Sequence, residues 1–374
     1  MKLRIALGLA MAALLAVGGP AGAAELALNP WPAPEVVAKV QGRSVTFPST
    51  NPFTIADLEG DGQVAAPGGP AANAGVRSAQ AATNHEAKGT LFLPDEASAA
   101  MPVPAVVLLH GARGLSDARE FTYARQFTEM GVAAMVVDVF GSRRELATSF
   151  NERLINITEA MVMADAFAAL RYLRDRPEID ETRIALIGFS YGGMATLYAA
   201  HRQVADLFAR HFGLGELRFA AHAAYYAPCI ATFEDERATG APVLMQWGGQ
   251  DQLVDGERCR AAAEELRAGG ATVETIVYDE AYHQWDGSLE TPWRAPRGLA
   301  GCDFLVTERG LIRGRMPGTP FYLSMTDALS RKILLGLCSD SVGYLIAEND
   351  SVRKRSNAAL GHFLMDAFNG RATP

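Results

Sequence analysis

The sequence has 374 residues, of which 49% are hydrophobic and 20% are charged, a composition typical of a globular protein with a large core. Its formal net charge of −8 at pH 7 argues against a nucleic-acid-binding protein, because contacts to phosphates require clustered basic side chains. One short basic cluster, "SVRKRS" near the C-terminus, is more typical of a solvated helix face.

The N-terminal residues 1–23 predict a secretory signal peptide. Lys2 and Arg4 precede an apolar run over residues 5–17, which is shorter than the about 20 residues that a membrane-spanning helix needs. Small residues follow this run, so we expect cleavage near residue 23 and a periplasmic or secreted mature protein. The alternative is an uncleaved N-terminal anchor. Later segments are too short or too polar to cross a bilayer, and we expect no stable membrane insertion.

Residues 24–88 predict a loop-rich segment, because they are rich in Pro, Gly, Ala and Asn. Within this segment, "SVTFP" predicts a first, antiparallel strand. The acidic turn from Asp57 to Asp61 is more typical of a solvated turn than of a calcium site, since it lacks the ligand spacing of a calcium-binding loop.

From residue 89 to residue 374 the pattern predicts one domain in which strands alternate with helices. The predicted strands are, in chain order, "KGTLFLP", "AVVLLHG", "VAAMVVDVFG", "RIALIGFS", "FAAHAAYYAP", "APVLMQWGG" and "VETIVYDE". The predicted helices between them include "DAREFTYARQFTEMG", "TEAMVMADAFAALRYLRD" and "GERCRAAAEELRAGG". Because these strands are nearly continuous apolar runs, we expect an α/β fold with a mostly parallel central sheet flanked by helices. Reactive groups in such a sheet gather at the carboxyl ends of the strands.

The stretch "RIALIGFSYGG" places Ser190 between two glycines, where a strand gives way to a helix. In that setting Gly-x-Ser-x-Gly predicts a nucleophile elbow, a sharp turn that presents the hydroxyl at the positive end of a helix. The alternative is a serine in an ordinary strand–helix turn.

A serine hydroxyl needs a base to become a useful nucleophile. His283 directly follows a late predicted strand, the position expected for a base within reach of the elbow. We favour Asp251, just past "VLMQWGG", as the carboxylate that orients this histidine, with Asp255 as its main rival. The chain order Ser190, Asp251, His283 is that of an α/β-hydrolase.

An ester-cleaving site also needs donors for the oxyanion of the transition state. We expect one donor to be the backbone N–H of Tyr191, directly after the nucleophile. The second is expected in "HGARGL", after an early strand, where we choose the N–H of Ala112.

The four cysteines are expected to form two disulfides. No CxxC pair is present, which argues against a zinc site, and an exported protein retains its disulfides. Of the three connectivities we favour Cys229–Cys259 and Cys302–Cys338. Cys229 and Cys259 both lie at the carboxyl edge of neighbouring predicted strands, where a bridge would brace the loop that carries Asp251. The alternative for this pair is two buried free thiols.

Taken together, these motifs resemble the dienelactone hydrolase family of the α/β-hydrolase superfamily. The resemblance covers roughly residues 89–286 and rests on "AVVLLHGARGL", "VVDVFGSR", "ALRYLRDRPEIDETRIALIGFSYGG", "VLMQWGGQDQLV" and "EAYHQWD". It implies a triad of Ser190, Asp251 and His283, with Ala112 and Tyr191 as oxyanion donors. The paired cysteines around the acid loop also resemble a branch of this family.

Two features depart from the family pattern. The enzymes that give the family its name use a cysteine nucleophile, so Ser190 points to general ester hydrolysis rather than to dienelactone specificity. Residues 287–342 exceed what the family leads us to expect between the histidine and the final helix, "SNAALGHFLMDAF". We expect them to form a lid or an extra subdomain beside the site, with "FLVTERGLIRG" as a hairpin.

The substrate-contacting residues are less sharply indicated. Arg113 and Arg143 lie in or near loops at the expected catalytic edge, where each could bind a substrate carboxylate; surface or ion-paired arginines are the alternative. Trp285 and Tyr191 are expected to line the site, with core packing as the alternative for Trp285.

The sequence therefore predicts a secreted or periplasmic serine hydrolase that cleaves small carboxylic esters through an acyl-enzyme, with no metal or organic cofactor. A peptidase or amidase of the same fold is the second hypothesis. A non-catalytic binding protein is the third. The sequence does not indicate an oligomeric state, and we expect no nucleic-acid partner.

Overall fold

The computed structural model of the protein describes residues 26–59 and 82–370. The predicted signal peptide lies outside these residues, as does Asp61 of the acidic turn. Our expectation of a solvated turn is wrong for Asp57, which is buried. Its carboxylate accepts hydrogen bonds from the backbone N–H groups of Phe53 and Thr54, so it closes a local turn, while burial raises its pKa.

The strands of the described residues alternate with helices over most of the chain. They are β1 (Arg43–Asn51), β2 (Thr83–Phe92), β3 (Val103–Leu109), β4 (Ala133–Val137), β5 (Ile179–Phe189), β6 (Ala221–Tyr225), β7 (Ala231–Phe233), β8 (Val243–Gly248), β9 (Val273–Tyr278), β10 (Trp293–Ala295), β11 (Phe304–Val306), β12 (Ile312–Arg315), β13 (Tyr322–Ser324) and β14 (Tyr344–Ile346).

The α-helices of the same residues are α1 (Pro34–Val37), α2 (Thr122–Glu129), α3 (Phe150–Asn156), α4 (Glu159–Arg174), α5 (Tyr191–Ala199), α6 (Arg202–Phe212), α7 (Gly256–Ala268), α8 (Ala328–Cys338) and α9 (Asp350–Phe368). None of them is both long and apolar enough to cross a bilayer.

The main sheet has the strand order β1-β2-β4-β3-β5-β6-β8-β9. Strands β3 to β6, β8 and β9 run parallel to one another, while β2 runs antiparallel to both β1 and β4. The predicted α/β fold with a mostly parallel sheet is confirmed. The loop-rich interpretation of residues 24–88 is wrong at its end, because β2 already begins at Thr83 and pairs with β1 along its whole length.

Helices cover both faces of this sheet. Helices α4 and α6 pack in one hydrophobic cluster, whereas α2, α7 and α9 pack in a second cluster on the other side. Strand β3 is buried at every residue, as a strand covered on both faces must be. The loops in which reactive groups are expected follow the carboxyl ends of the parallel strands.

Residues 287–342 and the strand that follows them add two small sheets and a helix. Strands β10 and β14 pair antiparallel, and β11, β12 and β13 extend from β7, with β11 and β12 forming the predicted hairpin. Helix α8 begins with a capping box at Asp327 and ends at Cys338. The chain then returns through β14 to the long helix α9, which packs on the main sheet.

Candidate active site

The turn that carries Ser190 has the geometry of a nucleophile elbow. Ser190 lies between β5 and α5 with φ 54° and ψ −111°, a left-handed conformation that strains a residue with a side chain. A Cβ at Gly192 would lie 2.5 Å from the carbonyl oxygen of Leu109, and a Cβ at Gly188 would overlap the backbone of Gly192. Glycine is therefore required on both sides of the serine, because the turn is packed against its neighbours.

Three side chains from distant parts of the chain meet at this turn. The hydroxyl oxygen of Ser190 lies 2.9 Å from His283 Nε2, and His283 Nδ1 lies 2.6 Å from Asp251 Oδ2. With the proton on Nδ1, the histidine donates to the carboxylate and accepts the serine hydroxyl proton at Nε2. The imidazole is fully buried and both partners are 5% exposed, so water competes little for these hydrogen bonds.

The two candidate acids have different roles in the structure. Asp251 accepts the histidine N–H on one carboxylate oxygen and the backbone N–H of Leu253 on the other. Asp255 is the N-cap of α7, where its carboxylate accepts the backbone N–H groups of Glu257 and Arg258. The structure thus brings Asp251, and not its rival, to the histidine.

The end of the additional segment holds the histidine in place. The backbone N–H of His283 donates to the carbonyl of Leu345 in β14, and the backbone of Ala347 donates back to the His283 carbonyl. The rings of Tyr226 and Tyr344 lie edge-on to the imidazole at centroid distances of 4.8 and 5.0 Å. These contacts fix the plane of the imidazole ring.

Burial, with a smaller contribution from the Asp251 charge, raises the pKa of Tyr344 to about 12.

The backbone groups chosen as oxyanion donors lie on either side of the serine. Tyr191 is the first residue of α5, so its N–H has no acceptor within the helix. The loop after β3 approaches from the other side: a Cβ on Gly111 would lie 3.2 Å from the Cβ of Ser190. Ala112, the next residue, lines the same cleft as Ser190 and Tyr191. Their role as donors remains a prediction.

Both favoured disulfides are present in the structure. Cys229, after β6, is bonded to Cys259 in the first turns of α7, which begins directly after the loop of Asp251. Cys302, before β11, is bonded to Cys338 at the end of α8. The first bridge braces the acid loop, and the second closes the added segment on itself.

Arg143 does not bind substrate, and our expectation needs correction. Its side chain is fully buried and is paired with Asp165 of α4, with its Nη2 2.8 Å from Oδ1. Its Nε donates to the side-chain oxygen of Asn51, which ties the end of β1 to the same ion pair. Because its donors are used inside the protein, Arg143 is a structural residue.

Our expectation that Trp285 lines the site is also wrong, and its alternative, core packing, is what the structure has. It is fully buried, its indole N–H donates to Ser356 Oγ of α9, and it packs against Tyr226 and Tyr278. Arg113 is exposed on the loop of Ala112, and its guanidinium lies 4.9 Å above the Trp293 ring. It is not among the described residues that line the cleft, and its contact with substrate remains a prediction.

A cleft of about 540 Å³ opens at Ser190, and we call it the α3–α8 cleft because these two helices form its walls. Most of the residues that line it were not predicted from the sequence. These include Phe150, Leu154, Ile155, Met194, Leu253, Leu299, Leu335, Gly336 and Tyr344. One signal for α3 was readable: Ser149 and Glu152 form a capping box, the pattern that marks the start of a helix.

The chain is similar to proteins of one known family. The model of the dienelactone hydrolase family matches residues 88–288. A protein of Methylorubrum extorquens named "Putative carboxymethylenebutenolidase" is 25% identical over 203 residues, which cover 52% of this chain and 67% of the relative. A Bradyrhizobium protein named "Probable 2-oxo-3-(5-oxofuran-2-ylidene)propanoate lactonase" is 22% identical over 202 residues, covering 51% and 77%.

Among solved structures, a dienelactone hydrolase-like promiscuous phosphotriesterase from metagenomic libraries superposes with a TM-score of 0.51. It is 18% identical and covers 87% of this chain and 99% of its own, which shows a shared fold. The family match includes the elbow, the acid loop and the histidine, and it ends at the start of the added segment. The protein is therefore a hydrolase that belongs to the dienelactone hydrolase family.

Proposed function

We propose that this protein is a serine hydrolase that cleaves carboxylic esters through an acyl-enzyme intermediate. The main support for this proposal is a pair of hydrogen bonds that joins Ser190 Oγ to His283 Nε2 and His283 Nδ1 to the carboxylate of Asp251. A hydroxyl, an imidazole and a carboxylate in this order are the parts that acyl transfer requires.

The first half of the reaction makes the acyl-enzyme. Ser190 Oγ bonds to the ester carbonyl carbon as its proton passes to His283 Nε2, and the carbonyl oxygen becomes an oxyanion. In this proposal the backbone N–H groups of Tyr191 and Ala112 donate to that oxyanion. When the carbonyl re-forms, the bond from carbon to the leaving oxygen breaks, and the imidazolium gives its proton to the departing alcohol.

The second half returns the enzyme to its starting state. A water molecule takes the place of the alcohol, gives a proton to His283, and bonds to the acyl carbon. The bond to Ser190 then breaks, and the serine oxygen regains the proton from the imidazolium while the acid product leaves. The carboxylate of Asp251 stabilises the imidazolium in both halves.

Turnover of matched substrates tests the proposed bond specificity. We expect the purified protein to hydrolyse p-nitrophenyl acetate and to leave p-nitroacetanilide uncleaved on the same timescale. Ser190→Ala should lower kcat for the ester by at least about a thousandfold, with an unchanged circular dichroism spectrum as the control. Faster cleavage of the anilide would favour an amidase, and an inactive wild-type protein would favour the binding hypothesis.

We also propose that the protein works in the periplasm or outside the cell. The support is the signal-like pattern of residues 1–23, together with two disulfides, which persist in oxidising compartments. N-terminal sequencing of the mature protein from a cell fractionation tests this: a start near residue 24 in the periplasmic or culture fraction is expected. Intact Met1 in the membrane fraction would instead identify an anchor.

A further inference from the structure

The α3–α8 cleft has walls made mostly of carbon. Phe150, Leu154 and Ile155 of α3 face Leu335 of α8, while further apolar side chains complete the lining. Those further residues are Ala112, Met194, Pro228, Leu253, Leu299 and Tyr344. Ser190 and Tyr191 also line the cleft. A substrate chain bound in the cleft would therefore lie next to the carbonyl group that Ser190 attacks. Its volume of about 540 Å³ is in the range of sites that enclose a small organic ligand.

Three charged residues belong to the lining, namely Glu152, Arg297 and the exposed Lys332, and the first two are engaged with the protein itself. Glu152 accepts the backbone N–H groups of Thr148 and Ser149 as part of the α3 cap, which lowers its pKa to about 2. Arg297 donates to the hydroxyl of Ser339. Because Glu152 and Arg297 already have partners and the exposed ammonium group of Lys332 can stay in water, the mostly apolar lining favours an apolar occupant.

The wall formed by α8 is fixed in place before any ligand binds. The guanidinium of Arg331 is buried and makes two hydrogen bonds of 2.9 and 2.7 Å to the carboxylate of Glu159 at the start of α4. Its Nε donates to the carbonyl of Leu154 in α3, which joins the two walls directly. The Cys302–Cys338 disulfide holds the end of the same helix. Because the walls of a preformed cleft are already ordered, ligand binding costs less conformational entropy.

We propose that the α3–α8 cleft binds an aliphatic chain of the substrate, so that the enzyme prefers esters with a medium-length apolar chain over acetates and small polar lactones. This inference rests on the proposed ester hydrolysis and specifies its substrate class. The wall formed by α3 lies within the match to the family model, whereas α8, Leu299 and Tyr344 lie beyond residue 288, where that match ends. The part of the chain beyond the family match therefore supplies one wall of the cleft.

Two aliphatic series test the inference in the wild-type protein. The first contains methyl acetate, butyrate, hexanoate and octanoate; the second contains the acetates of methanol, butanol, hexanol and octanol. Each methylene that enters the cleft should raise kcat/KM up to about fourfold, the equivalent of about 0.8 kcal/mol per buried methylene. A rise in the first series places the acyl chain in the cleft, and a rise in the second places the alcohol chain there.

A single glycine offers a variant that fills the cleft without disturbing the fold. Gly336 lines the cleft within α8, and a Cβ added there would meet no atom within 4 Å. Gly336→Phe should therefore fold, since phenylalanine is a better helix former than glycine. Leu329→Phe is the matched control, because Leu329 lies on the same helix, is 66% exposed and is not among the described lining residues.

We expect Gly336→Phe to lower the ratio of kcat/KM for the longest ester to that for methyl acetate by at least about tenfold. Leu329→Phe should keep the wild-type ratio, and its turnover of methyl acetate should stay within about twofold of wild type. Flat chain-length profiles in both series, or a Gly336→Phe ratio equal to that of the control, would overturn the inference. Methyl acetate hydrolysis that depends on Ser190 would still stand in that case, so the two proposals fail separately; no hydrolysis of any ester overturns both.

Discussion

At the scale of single residues, position along the chain did not decide which carboxylate serves the histidine. Asp251 and Asp255 are four residues apart, and both follow β8. One carboxylate accepts the imidazole N–H, while the other accepts the first free N–H groups of α7. An aspartate therefore accepts a hydrogen bond from the imidazole at position 251, whereas an aspartate at position 255 caps a helix.

This difference predicts opposite effects of two matched substitutions. Asp251→Asn should lower kcat for p-nitrophenyl acetate by about ten-thousandfold, because the amide favours the wrong tautomer of His283. Asp255→Asn should leave kcat within about twofold of wild type, because asparagine also caps a helix well. Steady-state kinetics on both variants checks this, and equal losses of kcat would contradict the assignment of Asp251.

Residue-level reasoning from the sequence succeeded where a local motif fixes a position in the fold. The glycines around Ser190 and the end of each parallel strand are readable, because strand ends meet at one sheet edge. Arg143 failed for the opposite reason. Its partner, Asp165, lies 22 residues away across a helix, and no local pattern shows that the pair is buried. Trp285 follows His283 by two residues, yet its side chain is buried in the core.

At the scale of elements, a buried ion pair is one of the contacts that attach helix α8 to the hydrolase body. Arg331 is 2% exposed and Glu159 is 1% exposed, so neither charge is solvated. Arg331 also donates to the hydroxyl of Tyr191, whose backbone N–H is a proposed oxyanion donor. The position of the cleft wall and that of the elbow are thus connected through one guanidinium.

Loss of one member of this pair should cost more free energy than loss of both. Arg331→Met leaves the carboxylate of Glu159 buried without its partner, and we expect the free energy of unfolding to fall by about 3–5 kcal/mol. Adding Glu159→Leu removes the buried charge and should restore at least about 1 kcal/mol. Urea denaturation of the two variants measures both values.

An Arg331→Met variant as stable as wild type would show that the ion pair does not anchor α8. A double variant that loses the sum of the two single effects would show that the two side chains do not interact in the folded protein. The single variant Glu159→Leu completes the cycle and serves as its control.

At the scale of the whole molecule, the fold could be predicted from sequence far better than the substrate cleft. Apolar strand runs separated by helices define an α/β sheet, and the motif order gives its catalytic edge. The cleft depends instead on how α3 and α8 face each other, and these helices are 171 residues or more apart along the chain. The contact depends on the hydrogen bond from Arg331 to the carbonyl of Leu154 in α3, on the Arg331–Glu159 pair and on a disulfide. No sequence pattern predicts the distance between two helices from such interactions.

The pH dependence of stability is also a property of the whole fold. His201 is buried at the start of α6, where its ring stacks 3.6 Å from that of Phe233. Burial lowers its pKa from 6.5 to about 3, with the nearby charge of Asp235 opposing this shift and His222 adding to it. Below pH 6.5 the unfolded chain therefore binds a proton that the folded protein excludes, and stability falls as the pH decreases.

Replacement of this histidine should remove part of that acid sensitivity. Between pH 7 and pH 5 His201 should account for about 2 kcal/mol of the loss in the free energy of unfolding. His201→Phe, which keeps an aromatic ring on Phe233, should therefore lose about 2 kcal/mol less than wild type over the same interval. Urea denaturation of both proteins at the two pH values gives the difference, and equal losses would show that His201 does not titrate on unfolding.

The central claim is that Ser190 is the nucleophile of a working triad, and covalent labelling tests it most directly. The purified protein is treated with a fluorophosphonate, and the modified residue is located by mass spectrometry of its peptides. We predict one adduct per chain, on Ser190, with no labelling of Ser190→Ala and strongly slowed labelling of His283→Gln. An unlabelled wild-type protein, or an adduct on a different residue, would contradict the account.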